Sequence, residues 1–154
     1  MKFENGITVI VTTFNKEEFI IQTLESAIIQ FKNKKENYQI IVVDDGSTDR
    51  SYEIAKDFLR KNNVNHKIFK QKNTGPSIAT NNAFKFVKYS FIKLLDGDDL
   101  ISPDSLDYMK SQMEKENMDL LYGNWEWSKN RINYKLKKDK QKSAIMVNPI
   151  NKFI

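Results

Sequence analysis

Three short apolar runs, Ile7 to Val11, Ile40 to Val43 and Phe91 to Leu95, and a weaker strand-like run, His66 to Phe69, alternate along the chain with stretches whose apolar residues recur at helical spacing. Continuous apolar runs of this length read as strands covered on both faces, and strands that alternate with helices imply a mostly parallel sheet. The first helix carries Phe19, Ile20, Leu24, Ala27, Ile28 and Phe31, with Asn15 as its expected N-cap. The second begins near Thr48 or Asp49 and carries Tyr52, Ile54, Ala55, Phe58 and Leu59. After the turn Asn73-Thr74-Gly75-Pro76 comes a third, with Ile78, Ala79, Ala83, Phe86 and Val87. Ser102 is the expected cap of a fourth, with Pro103 at its first position and Leu106, Met109 and Met113 inward, and Leu120 to Tyr122 reads as a fifth strand. The expected fold is therefore α/β, a doubly wound, Rossmann-like sheet flanked by helices.

In such sheets ligands lie beyond the carboxyl ends of the strands. Three such ends here carry polar residues: Thr12 to Asn15, Asp44 to Ser47 and Asp96 to Asp99. The last places three carboxylates within four residues, Asp96-Gly97-Asp98-Asp99, which repel one another unless a cation or solvent screens them. No G-x-G-x-x-G follows the first strand and no G-x-x-x-x-G-K-[ST] occurs, so the glycine cradles used for dinucleotides and triphosphates are excluded. A divalent metal held by Asp98, with Asp96, could instead bridge two phosphate oxygens, a solution suited to a nucleoside diphosphate.

With 154 residues, 40% of them hydrophobic, the chain can bury one sizeable core. It has no cysteine, which excludes disulfides and Cys-ligated metal. Its net charge of +5 is unevenly spread: between Lys129 and Lys142 seven basic residues stand against Asp139, so that segment carries +6 and the remainder −1. A nearly neutral remainder argues against a nucleic-acid groove, which needs basic residues spread over a face. The basic segment reads as a solvated tail, with contact to anionic lipid or an acidic acceptor as the alternative. No stretch approaches the roughly 20 apolar residues of a membrane span, and no leader sequence is evident. The expectation is a cytoplasmic protein, with peripheral contact at the inner face of the membrane through the lysines as the alternative to a solvated tail.

Val9-Ile10-Val11-Thr12-Thr13-Phe14-Asn15, Ile41 to Asp49 (IVVDDGSTD), Asn73-Thr74-Gly75-Pro76 and Leu95-Asp96-Gly97-Asp98-Asp99 with Pro103 following resemble, in order and spacing, the family 2 glycosyltransferases of the GT-A fold. The resemblance covers about the first 125 residues. It implies a GT-A domain over residues 1–128, followed by a lysine-rich segment over 129–154. It implies that Thr12 and Phe14 line a nucleotide pocket, Phe14 beside the base, the alternative for Phe14 being a core aromatic. Glu17 occupies a position where an acidic residue often follows, the alternative being a first-turn helix carboxylate. Asp45 matches the aspartate that accepts a hydrogen bond from the base, which suits uracil or thymine, and Asp44 props the loop. Asp96 and Asp98 match a D-x-D motif in which the first carboxylate reaches ribose or a metal-bound water and the last coordinates Mg²⁺ or Mn²⁺; Asp99 follows without an assigned role.

The implied activity is transfer of a sugar, with inversion, from a UDP- or dTDP-type donor to a glycan or lipid-linked acceptor of a cell-surface polysaccharide. The chain departs from the family in two places. Ala79-Thr80-Asn81 stands where many members have Ala-Arg-Asn, leaving Lys70 or Lys72 to supply a positive charge. The segment that carries the family's catalytic base has no match, so no base is assigned. Two alternatives follow: a donor-binding module without turnover, or a phosphatase of the haloacid-dehalogenase type, whose D-x-D normally lies on the first strand. Trp125 and Trp127 could stack on a sugar or pack a core.

Overall fold

The computed structural model describes residues 3–32, 37–123 and 144–146. These form two compact units, residues 1–101 and 102–154. The first unit contains β1 (Glu4–Thr13), α1 (Ile20–Ile28), a 3-10 turn (Ile29–Phe31), β2 (Tyr38–Asp44), α2 (Ser51–Lys61), β3 (His66–Lys70), α3 (Pro76–Phe84) and β4 (Tyr89–Asp96).

The four strands make one fully parallel sheet in the order β3-β2-β1-β4. The chain steps outward from β1 to β2 to β3, then returns to the other side of β1. Right-handed crossovers therefore place α1 and α2 on one face and α3 on the other. Residues in register share a face, so Ile10, Ile41 and Val43 point together at α3, where Ala79 and Ala83 let the helix approach closely and Phe69 and Val87 close the cluster. Val9, Val11, Ile40 and Val42 line the opposite face, and all four are fully buried. α1 contributes Ile20, Leu24 and Ala27, and α2 contributes Ala55 and Leu59.

Several details depart from the sequence expectations. Asn15 does not cap α1, which begins five residues later at Ile20; its side chain serves the β2–α2 loop instead. α3 ends at Phe84, so Phe86 and Val87 lie beyond it, and Ile78 faces outward. β4 is apolar but not covered on both faces: Leu95 is buried, whereas Leu94 is 52% exposed and Ile92 38%. Both are in register with the β1 residues that face α3, but that helix packs over β1 and β2 and leaves β4, an outer strand of this sheet, uncovered on that side.

In the second unit, α4 (Ser105–Glu116) starts two residues after Pro103, because Asp104 adopts a left-handed conformation (φ 62°) that no helix can include. The expected fifth strand, β5 (Leu121–Gly123), does form, but it pairs antiparallel with β6 (Ala144–Met146) rather than extending the parallel sheet. Trp125, Trp127 and nearly all of the lysine-rich segment lie outside the described residues.

Candidate active site

The topology puts a switch point between β1 and β4, whose carboxyl ends deliver Thr12 to Lys16 and Asp96 to Asp99 side by side. Central strand β1 holds both neighbouring loops with its last two carbonyls. Thr12 C=O accepts from Gly97 N at 2.8 Å and Thr13 C=O accepts from Asp45 N at 2.8 Å. The Thr12 hydroxyl donates to Asp96 Oδ1 at 3.3 Å, and Asp99 N closes the acidic turn on Asp96 C=O at 3.0 Å.

Gly97 is required here by space. A Cβ at that position would lie 2.7 Å from Thr13 Oγ1 and 2.8 Å from Thr13 Cβ, closer than packed atoms tolerate. The sharp entry into Asp98 and Asp99 thus depends on backbone lying directly against β1.

Asp98 carries a cation supplied by the chain itself. Lys16 Nζ donates to Asp98 Oδ2 at 2.6 Å, with both side chains partly buried. Lys93 on β4 lies in the field of Asp99 and Asp96; burial depresses its pKa below the ordinary lysine value, and the two carboxylates oppose that shift. The positively charged groups that answer the acidic turn, Lys16 above all, were not legible in the sequence. Lys16 lies 82 residues from Asp98 with no pattern linking them.

Phe14 is 42% exposed at the end of β1, so it is not a core aromatic. Asn15 follows in a left-handed conformation (φ 53°), which asparagine tolerates, and accepts from Thr48 N at 2.8 Å while its own amide donates to Ser47 Oγ at 3.0 Å. Glu17 is an extension of this splice: its carboxylate accepts from Arg50 N at 3.0 Å, and its amide donates to Asp49 Oδ2 at 3.1 Å. It therefore caps the start of α2 rather than the start of its own helix.

Ser51 ties the same two loops from inside. Fully buried, it accepts from Lys16 N at 2.7 Å and donates to Asp49 Oδ1 at 2.6 Å. Burial pushes the Asp49 carboxyl up, but the bonds from the Ser51 hydroxyl and amide and from the Glu17 amide outweigh it and hold the pKa below 3.8. Ser51→Ala leaves the Lys16 amide and an Asp49 oxygen without this partner and is expected to lower stability by about 2 kcal/mol in urea denaturation.

Asp44 and Asp45 divide their work. Asp44, fully buried, accepts from Gly46 N at 3.1 Å and Ser47 N at 2.8 Å and so holds the turn. Asp45 reaches the other way. Its Oδ1 accepts from Gln71 Nε2 and Thr74 N, both at 2.9 Å, and its Oδ2 accepts from Gly75 N at 2.8 Å. It thereby pins the loop before α3, and any base that it receives must share a carboxylate already bonded to protein. Lys70 donates to Ser47 C=O at 2.7 Å and lies 3.9 Å from Asp44, which commits it to the β2 turn.

Among the described residues, no three His, Cys, Asp or Glu side chains converge as a complete metal cage. The donor set at the acidic turn nevertheless fits a cation, since Asp98 already binds an ammonium there, and a divalent ion would need further oxygens from a bound ligand or water. Among the described residues no helix is long and apolar enough to cross a membrane.

The fold recurs in known proteins. The S. aureus TarS structure in complex with UDP-GlcNAc is similar, with a TM-score of 0.66, 30% identity, and coverage of 75% of this chain and 33% of that one. Glycosyltransferase GlyA of Streptococcus pneumoniae serotype 4 is 33% identical over 127 residues, 81% of this chain and 17% of GlyA. The minor teichoic acid biosynthesis protein GgaA of Bacillus subtilis strain 168 is 37% identical over 101 residues, 64% of this chain and 23% of GgaA. The chain thus spans a third or less of each of these relatives. A family model described as glycosyl transferase family 2 matches residues 8–152, a span that takes in the carboxyl end of β1, the Asp44-Asp45 turn and the acidic turn alike, and the chain belongs to that family.

Proposed function

We propose that this chain holds the donor half of an inverting glycosyltransferase, binding a UDP- or dTDP-type sugar for transfer to a glycan or lipid-linked acceptor of a cell-surface polysaccharide. The observation that carries the reading is the placement of an exposed aromatic, Phe14, and a cation-holding carboxylate, Asp98, just beyond the adjacent carboxyl ends of β1 and β4 at the switch point. The likeness to TarS, which binds UDP-GlcNAc, supports a uridine nucleotide, and the likeness to GgaA supports a teichoic-acid-type product.

In this reading Phe14 lies against the base. Thr12 orients Asp96 towards the ribose through its hydroxyl, and Asp45 fixes the loop that closes the base side. Glu17 acts at one remove, by splicing the Phe14 loop to α2. Asp98, with Asp96, is the holder of Mg²⁺ or Mn²⁺. When bound, that ion would neutralise the charge that develops on the departing diphosphate. No base is assigned among residues 1–154. The lysines between Lys129 and Lys142 are proposed to meet anionic lipid on the cytoplasmic face.

Calorimetric titration of UDP in the presence of Mn²⁺, in wild type and Asp98→Ala, tests the reading. At least a tenfold loss of affinity is expected in the variant, on the order of one strong charge-assisted contact. Equal binding by the two proteins would remove the metal from the proposal. Hydrolysis of UDP-GlcNAc by this chain would separate an enzyme from a donor-binding module without turnover.

A further inference from the structure

We propose that Lys16 is the resident cation of the acidic turn, a built-in competitor that holds Asp98 until a divalent ion arrives with the diphosphate and then transfers its ammonium to the phosphate. The inference rests on the donor-binding reading above and adds a residue that neither the D-x-D pattern nor the family resemblance contains.

The geometry supports an exchangeable contact. The Lys16 backbone is fixed on three sides: its amide donates to Ser51 Oγ at 2.7 Å, and its carbonyl accepts from Phe19 N and Ile20 N, each at 2.9 Å. Only the four-carbon stem is left to move, and it presents a compact charge able to pivot between oxygens of different groups. That charge now lies 2.6 Å from Asp98 Oδ2, on the carboxylate that would hold a divalent ion in the reading above. An ammonium and a divalent ion on one partly buried carboxylate lie within a few ångströms and repel each other, so each weakens the hold of the other.

Lys16 also lies two residues after Phe14, so a base beside Phe14 would bring its phosphates towards the same ammonium. Diphosphate binding would draw Lys16 away from Asp98 and so favour the ion there. The two ligands then bind with positive coupling, which is reciprocal by necessity. Lys93, depressed by burial and opposed in that by Asp99 and Asp96, stays on the strand as a second basic group of the turn.

The test uses the purified chain with two probes: Mn²⁺ alone, followed by the electron paramagnetic resonance of the free ion, and UDP with Mn²⁺, followed by calorimetry. Lys16→Met is expected to bind Mn²⁺ alone roughly five- to tenfold more tightly than wild type, and UDP with Mn²⁺ more weakly by a similar factor, the low end of couplings between sites. Lys16→Arg, whose fork grips a carboxylate more firmly, is expected to weaken binding of Mn²⁺ alone and provides the answer if Lys16→Met fails to fold. Unchanged or weaker Mn²⁺ binding by a folded Lys16→Met, or no Mn²⁺ binding by any of the proteins, overturns the proposal. If wild type takes no UDP while Lys16→Met still binds Mn²⁺ more tightly, the donor reading fails and the competition for Asp98 stands.

Discussion

Asp45→Ala is expected to lower the stability of the chain by about 3 kcal/mol at neutral pH and to release the loop before α3. The estimate follows from what the carboxylate holds. One buried side chain accepts from the amides of Thr74 and Gly75 and from the side chain of Gln71, and Gln71 Oε1 in turn accepts from Asn82 on α3 at 2.9 Å. Bonds to a charged acceptor contribute about 1.5–3 kcal/mol each, but the loop is exposed enough for water to recover part of the loss. Urea denaturation measures the change, and protection of the Thr74 and Gly75 amides from hydrogen exchange should fall further than that of β1 and β2.

The same carboxylate makes the molecule acid-sensitive. Burial raises the Asp45 pKa, but the bonds from Thr74, Gln71 and Gly75 outweigh it and hold the group below its ordinary value of 3.8, as the Ser51 and Glu17 bonds do for Asp49. A carboxyl that titrates lower in the folded than in the unfolded chain stabilises fully above the unfolded value and loses that contribution as pH falls through the folded one. Wild type should therefore lose stability progressively below about pH 4, and Asp45→Ala should lose less over the same interval. An equal acid dependence in both proteins would show that Asp45 contributes nothing to it.

How much of this was legible in the sequence depends on the distance over which each residue acts. The four parallel strands and three of the helices follow from apolar periodicity, a local property, and the placement of the strand ends follows from the topology that such alternation permits. The Asp44 turn was legible for the same reason, since its bonds span two or three residues. Asn15 looked like a cap because asparagine before an apolar helix commonly is one. Its partner is Thr48, 33 residues away, and the side chain that is free to choose took the nearer orphan amide in space rather than in sequence.

The exposure of Leu94 and Ile92 was illegible for a related reason. An apolar run reports that a strand is apolar, not which of its neighbours are present to cover it. Lys16 is the clearest case. Three crowded carboxylates announced the need for a cation, but Coulomb attraction has no sequence register, and the first cation that meets the need is an ordinary lysine in another loop.

Gly97→Ala is expected to cost about 2–3 kcal/mol and to disable the acidic turn, although the substitution adds one methyl group and removes no carboxylate. The new Cβ would meet Thr13 Oγ1 at 2.7 Å and Thr13 Cβ at 2.8 Å, with Thr12 C=O at 3.1 Å. Two of these are atoms of the central strand or attached directly to it, so they cannot swing aside as the end of a long side chain could, and overpacking of this kind typically costs about 1–3 kcal/mol. Relief requires the turn to move away from β1. That movement lengthens the Gly97 N to Thr12 C=O bond of 2.8 Å and the Thr12 hydroxyl contact to Asp96, the bonds that set where Asp96 and Asp98 point. The Thr23 hydroxyl, which donates to Gly97 C=O at 3.0 Å from α1, would be pulled with it. Melting followed by circular dichroism reads the cost in stability. Calorimetry with UDP and Mn²⁺ on the folded variant reads the cost to the site, where a loss comparable to that of Asp98→Ala is expected. Wild-type affinity in a folded Gly97→Ala would show that donor binding does not depend on the seating of this turn against β1.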